Sequence, residues 1–267
     1  HLWSQYRETI DIWERFYKFS GKEFKNDLLT EKDLNEPSKN YLIQEFHKHT
    51  INNYYLGYFI REFCLNKPVL LDFICQENLI FKKLYLREYR MVEKSPKTCF
   101  RISFINELFP DCKFIFLKRD GRTNINSLIE GWKGPDRYKR KEVENWNFIL
   151  PPGWENYRES PVEEVSAFQW VKSNEAAIKS LKTIEDKRKY FLKYEDLIEN
   201  PNETINNLCN FIEIPFCSGL KKVSKNLPSV NYVTKPDKDK WKKNIDLIEN
   251  VYKTIEPTMK EMGYTLY

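Results

Sequence analysis

The most constraining feature of the chain is a short run, Lys113-Phe114-Ile115-Phe116-Leu117-Lys118, whose centre is continuously apolar. A run this short and this apolar reads as a strand buried on both faces, as in the interior of a parallel sheet. Gly121 then turns the chain, and Thr123 to Trp132 reads as a helix. Upstream, Arg90 to Glu93 reads as a short strand ending at Lys94-Ser95-Pro96, and Phe100 to Leu108 as a helix closed by Phe109-Pro110-Asp111. Strand, helix, strand, helix over 90–132 is the grammar of a parallel sheet with crossover helices.

The flanks follow the same grammar. Leu2, Tyr6, Ile10, Trp13, Phe16 and Tyr17 recur at helical spacing, and Ser38 is placed to cap a helix running to about Cys64. A further helical segment extends to about Glu88. Val162 to Thr183 reads as a helix and Lys189 to Lys193 as a strand. Asn200, with Pro201 at the first helical position, opens a helix to about Ile212. Residues 218–238 read as irregular, and Asp239 opens a final helix that contains Pro257. Residues 133–162, rich in Gly, Pro, Trp and Lys, read as a surface excursion suited to a substrate lid. The expected fold class is α/β, a parallel sheet flanked by helices, with residues 1–267 as a single domain.

Composition narrows the function classes. No run approaches the roughly 18 apolar residues of a membrane helix; the stretch from Val69 to Cys75 is short and broken by Asp72. A net charge of +5, from 44 basic and 39 acidic residues, is too slight to argue for nucleic acid and suits a small polyanion. The cysteines at 64, 75, 99, 112, 209 and 217 form no CxxC pair and show no metal-ligand spacing. They read as buried free thiols, which fits a reducing, cytoplasmic setting, and no metal is expected.

Three segments fall at the carboxyl ends of expected strands, where open α/β sheets place their ligands. They are Glu93-Lys94-Ser95-Pro96, Arg119-Asp120-Gly121-Arg122 with Ser127, and Tyr194-Glu195-Asp196-Leu197. A guanidinium at the sheet rim with a helix hydroxyl makes a clamp for a terminal phosphate. The stretch from Leu108 through Arg122, with Ser127-Leu128, closely resembles the 3′-phosphate-binding segment of sulfotransferases that use 3′-phosphoadenylyl sulfate. Tyr194-Glu195-Asp196-Leu197, followed by Asn200-Pro201 and Leu208 to Ile212, resembles the late strand-turn-helix of that family. Lys235-Pro236 and Trp241-Lys242-Lys243-Asn244 resemble its basic segment near the carboxyl end, and Lys94-Ser95-Pro96 the Lys-x-Pro motif of tyrosylprotein sulfotransferases and related bacterial enzymes.

The resemblance implies a P-loop-NTPase-like sheet and transfer of a sulfonate to a hydroxyl or amine, leaving adenosine 3′,5′-bisphosphate. It implies that Arg119 and Ser127 hold the 3′-phosphate, with Tyr194 and Lys235 contributing, and that Lys94 stabilises the transferring group. The family's first motif, a basic Ser/Thr-rich loop after the first strand, does not occur here. The chain has eight glycines, none in a GxxxxGK[ST] context. The resemblance therefore implies that about one strand, one loop and one helix belong upstream of His1. By the same resemblance the catalytic base falls at or just before His1, while His47 and His49 read as surface residues. Trp132, Trp146 and Trp154 suit an acceptor site as well as packing. Small molecules, glycans, lipids and protein tyrosine all remain open as acceptors. Two other readings stand beside this one: a P-loop-type kinase, which needs a Walker lysine and a magnesium-binding carboxylate, and a non-catalytic binding protein built on the same fold.

Overall fold

The structure is a computed structural model, and it describes residues 12–46, 92–134, 139–227 and 239–265. His1, His47, His49 and Lys235 lie outside the described residues, as do most of the expected helix to Cys64 and the segment to Glu88. The chain divides into two compact units, and five residues of the amino-terminal region, Asn26–Thr30, belong to the second.

In the first unit, helix α1 covers 12–20 and helix α2 covers 36–46. Ile12, Trp13 and Phe16 on α1 and Leu42 and Phe46 on α2 are buried. Trp13 meets Phe46 edge-on at 5.6 Å and Phe19 stacks on Tyr41 at 4.3 Å. Such ring pairs add about 0.5–1.5 kcal/mol beyond the area they bury. Arg15 and Glu45 form an ion pair between the same two helices. The cap of α2 is Asn35, three residues ahead of the expected Ser38. Ser38 N–H donates to Asn35 Oδ1 at 2.9 Å and Asn35 N–H to Ser38 Oγ at 3.0 Å, a reciprocal box that satisfies two otherwise orphaned donors. The expected strand at Arg90 to Glu93 is not found among its described residues: Val92 to Ser95 are irregular and lead into a 3-10 turn at Pro96–Phe100.

The second unit holds the sheet. Helix α3 (Ile102–Leu108) leads to β1 (Phe114–Lys118), then helix α4 (Gly121–Trp132), helix α5 (Val162–Leu181) and β2 (Lys189–Lys193). The strands pair parallel, from Phe114 opposite Lys189 to Lys118 opposite Lys193. After β2 come α6 (Tyr194–Glu199), α7 (Pro201–Phe211), α8 (Ser218–Ser224), α9 (Ile245–Glu249) and α10 (Tyr252–Glu261). Residues 218–224 are thus helical where an irregular stretch is expected. Asn200 holds the expected position ahead of Pro201, but its side chain makes no capping bond. Asp239 precedes a 3-10 turn at Lys240–Asn244 rather than one long helix, and Pro257 sits inside α10.

Helices flank the sheet diagonally. Phe114 and Phe116 pack on one face against Ile102, Ala177, Leu181 and Ile184 from α3, α5 and the turn beyond. On the other face, Tyr190 of β2 stacks on Phe211 of α7 at 5.1 Å, and Leu192 is buried. Side chains alternate along a strand, so Ile115 and Leu117 share the face of Tyr190 and Leu192, where they remain 44% and 50% exposed. The expectation of a strand buried on both faces is therefore corrected: α3 and α5 cover alternate residues of β1 and leave the others partly open.

Residues 139–161 are not a loose excursion. Asp27, fully buried, accepts hydrogen bonds from both terminal nitrogens of Arg140 at 3.1 Å and from Leu150 N–H at 2.6 Å. Its carbonyl accepts from Arg101 Nε at 3.1 Å. Trp146 and Trp154 are buried and meet edge-on at 5.3 Å, with Trp132 edge-on to Trp146 at 5.5 Å. Gln169 of α5 ties the segment down, donating to the carbonyls of Asn147 and Ile149 and accepting from Trp132 Nε1. Trp146 and Trp154 are packing residues of the core, and half-buried Trp132 packs onto Trp146 from its edge. Among the described residues no helix is long and apolar enough to cross a membrane.

Candidate functional site

The register of the sheet builds the site. Lys118 and Lys193 are paired at its carboxyl edge. The next residues, Arg119 and Tyr194, therefore leave neighbouring strands side by side. The Arg119 guanidinium lies over the Tyr194 ring, 4.7 Å from its centroid. A cation so placed gains about 0.5–2 kcal/mol, the more as water is excluded. Arg119 Nε is buried and has no hydrogen-bond partner among the described residues. A buried charged donor left without an acceptor costs energy, and an anionic oxygen arriving over the strand end is the chemistry that would satisfy it.

The turn after Arg119 separates the roles of its two arginines. Asp120 caps α4: its carboxylate accepts from Arg122 N–H at 2.8 Å, Arg122 Nε at 3.1 Å and Arg122 Nη2 at 2.6 Å. Arg122 is thereby neutralised, and it also stacks over Trp241 at 5.0 Å. Among the described residues Arg119 has no carboxylate in that role. Gly121 is required by close approach. A Cβ there would stand 2.8 Å from Met259 Sδ and 3.0 Å from the Trp170 indole, and Trp170 is buried. Gly121 N–H points at Met259 Sδ at 3.0 Å.

Ser127 lies two turns into α4 and is half-buried. Its hydroxyl donates to Thr123 O at 2.9 Å. To serve an anion it would turn that proton away from the backbone, exchanging one hydrogen bond for another. Sequence reasoning missed the opposite flank of α4, where Asn244 Nδ2 donates to Asn126 Oδ1 at 2.7 Å and Lys240 pairs with Glu130. These bonds seat the 3-10 turn against α4. Of the basic run there, Lys242 and Lys243 are exposed and Lys242 pairs with Asp239 at 2.9 Å.

Glu195 lies in the Tyr194–Leu197 motif, but its long-range partners carry no sequence signal. It accepts from Asp120 N–H at 3.0 Å and from Tyr264 Oη at 2.7 Å. Burial first, then the bond to Glu195, pushes the Tyr264 phenol above its ordinary range. Lys193 lies 5.3 Å over the Tyr264 ring, and Lys118 Nζ donates to Met262 O at 3.1 Å. Burial and the neighbouring Lys193 hold Lys118 below its usual range.

Lys94 belongs to the first unit, where it is exposed. Beside it Glu93 accepts from Thr98 Oγ1 at 2.8 Å, and Ser95 Oγ accepts from Lys97 N–H at 3.2 Å. These bonds shape the Lys-x-Pro turn.

The sequence pattern of the sulfotransferase family matches residues 7–218, more than three quarters of the chain. This chain belongs to the sulfotransferase family. Its sulfotransferase relatives include the protein-tyrosine sulfotransferase of Drosophila melanogaster, 27% identical over 127 residues, which are 48% of this chain and 21% of that protein. Protein-tyrosine sulfotransferase A of Caenorhabditis elegans is 23% identical over 130 residues, 49% of this chain and 29% of that protein. The chain thus spans less than half the length of these relatives. Among solved structures, the sulfotransferase domain from the curacin biosynthetic pathway aligns over 81% of each chain at 17% identity, with a TM-score of 0.48.

Proposed function

We propose that this sulfotransferase family member transfers a sulfonate from 3′-phosphoadenylyl sulfate to a hydroxyl or amine, and that Arg119 grips the 3′-phosphate of the donor. The observation that carries the reading is the buried Nε of Arg119, held over Tyr194 at the carboxyl edge of two parallel strands without a hydrogen-bond acceptor among the described residues. A phosphate oxygen supplies that acceptor, and Tyr194 fixes the guanidinium plane towards it. Asp120, engaged by Arg122, leaves the positive charge of Arg119 for the ligand. Ser127 adds a hydroxyl to the same phosphate, and Lys235 joins them from outside the described residues.

In the reaction, an acceptor oxygen or nitrogen attacks sulfur in line as the bond from sulfur to the 5′-phosphate oxygen breaks. The acceptor loses its proton to a base, and negative charge develops on the departing adenosine 3′,5′-bisphosphate. Lys94 stabilises that charge, which is the term such a transfer needs most. The acceptor is a hydroxyl or amine; the names of the relatives favour a phenolic hydroxyl such as that of tyrosine.

Calorimetry with adenosine 3′,5′-bisphosphate tests the assignment. Arg119→Ala should weaken binding by the ~1.5–3 kcal/mol of a hydrogen bond to a charged group, and Ser127→Ala by less. Equal binding by wild type and Arg119→Ala would remove Arg119 from the site. Binding without sulfate transfer to any phenol, sugar or amine would favour a binding protein over an enzyme.

A further inference from the structure

Tyr264 arrives at the strand edge by a defined route. Helix α10 ends at Gly263, whose φ of 77° lies in the left-handed region that costs glycine least. Gly263 N–H donates to Lys260 O at 3.0 Å and Tyr264 N–H to Met259 O at 2.9 Å, the paired bonds of a Schellman ending. This ending turns Tyr264 back onto the sheet, where its ring lies under Lys193 and its hydroxyl meets Glu195. The other oxygen of Glu195 accepts the backbone N–H of Asp120, the residue joining Arg119 to α4. A continuous chain of bonds thus runs from the end of α10 to the peptide bond that follows Arg119. Met259, one turn before Gly263, meets the same turn through Gly121 N–H.

From this arrangement we infer that Tyr264, acting through Glu195, is a positioning residue that sets the Arg119 turn for a terminal phosphate. The inference rests on the assignment of Arg119 to the donor's 3′-phosphate. Tyr264 touches no reacting group. Its hydroxyl donates to Oε2, which holds the carboxylate so that Oε1 faces the Asp120 amide. Without that bond the carboxylate is free to rotate, the Asp120 amide loses its partner for part of the time, and the guanidinium loses its fixed origin. A displacement of about 1 Å at such a site is enough to weaken an oriented contact severely. The phenol remains the donor throughout the neutral range, so the chain does not switch off near pH 7.

The test compares wild type, Tyr264→Phe, Glu195→Gln and Arg119→Ala as full chains. Tyr264→Phe keeps the ring under Lys193 and deletes only the donor. Glu195→Gln keeps one acceptor oxygen and replaces the other with an amide. Two readouts are needed: hydrogen exchange at the Asp120 amide, and calorimetric affinity for adenosine 3′,5′-bisphosphate beside adenosine 5′-phosphate. Tyr264→Phe and Glu195→Gln should speed exchange at Asp120 and weaken the bisphosphate by about two- to tenfold, the span of one net hydrogen bond. Affinity for the 5′-phosphate should not change, because it lacks the group that Arg119 holds. Unchanged exchange at Asp120, or equal weakening of both ligands, would overturn the inference and reduce Tyr264 to a structural anchor. If instead Arg119→Ala binds the bisphosphate as tightly as wild type, the assignment of Arg119 falls. Faster Asp120 exchange in Tyr264→Phe would then still establish the bond chain, with a ligand role excluded.

Discussion

Removal of the Asp27 carboxylate is the most informative perturbation of the fold. The side chain is fully buried and faces two arginines, Arg140 at 3.1 Å and Arg101 at 3.8 Å, whose side chains are 5% and 2% exposed. It also accepts the Leu150 amide at 2.6 Å. Asp27→Ala would strip the shared counter-charge from two guanidinium groups that cannot reach bulk water, and would orphan a buried amide. Breaking a buried ion pair from one side costs about 3–5 kcal/mol. In a chain of this size each kcal/mol moves the melting midpoint by about 2–4 °C, so the expected drop is of order 10 °C. Scanning calorimetry of Asp27→Ala beside Glu142→Gln checks it. Glu142 also touches Arg140 but is one-third exposed, so its replacement should cost under about 1 kcal/mol. A triple replacement, Asp27→Leu with Arg101→Met and Arg140→Met, should recover part of the loss, because the buried carboxylate and both buried guanidinium groups are removed together, while Glu142 is one-third exposed and the Leu150 amide stays without its acceptor. A drop of only a degree or two in Asp27→Ala would refute the argument, since it would mean that water reaches the arginines.

Two further outcomes are expected. Lys94→Ala should lower turnover by about 10²–10³-fold, the scale of one lost charge-stabilising donor, while donor affinity stays near wild type; a large loss of affinity at normal turnover would make Lys94 a ground-state contact. The raised phenol of Tyr264 favours the protonated native state. Its contribution is therefore complete below the free phenol value of about 10 and is lost as pH climbs beyond it. Tyr264→Phe should flatten the alkaline fall in stability above about pH 10, as read by denaturant midpoints across pH, and lower stability by a constant amount through the neutral range, where the bond to Glu195 is fully made.

The parts of the fold that are legible in sequence are those set by local pattern. The apolar run of β1, the glycine turn after Arg119 and the 3.6-residue rhythm of α4 and α5 lie within short windows. The pairing of Arg119 with Tyr194 follows once two strands are recognised and their ends aligned. Asn35 and Ser38, three residues apart, are both cap formers, and residue type alone does not decide which one leads. The Gly, Pro and Trp of 133–162 suggest a surface loop because their anchor, Asp27, lies more than a hundred residues upstream. Tyr264 and Glu195 are separated by 69 positions, and no periodicity connects them. Indole rings serve cores and binding sites equally well, so the packing role of Trp132, Trp146 and Trp154 emerges only from their contacts.

The burial of Asp27 also fixes a timetable for synthesis. Arg140 follows it by 113 residues and Leu150 by 123. At roughly 5–20 residues per second, the carboxylate is made ~6–23 s before its main counter-ion. Until Arg101 and then Arg140 follow, Asn26–Thr30 cannot take its place, because burying the lone anion would be prohibitive. The nascent chain therefore keeps this segment hydrated while 31–98 emerges, and withdraws it from water only when the far side of the second unit arrives. Late closure around an early anion delays commitment of that unit to its final topology until Arg140 and Leu150 have been made.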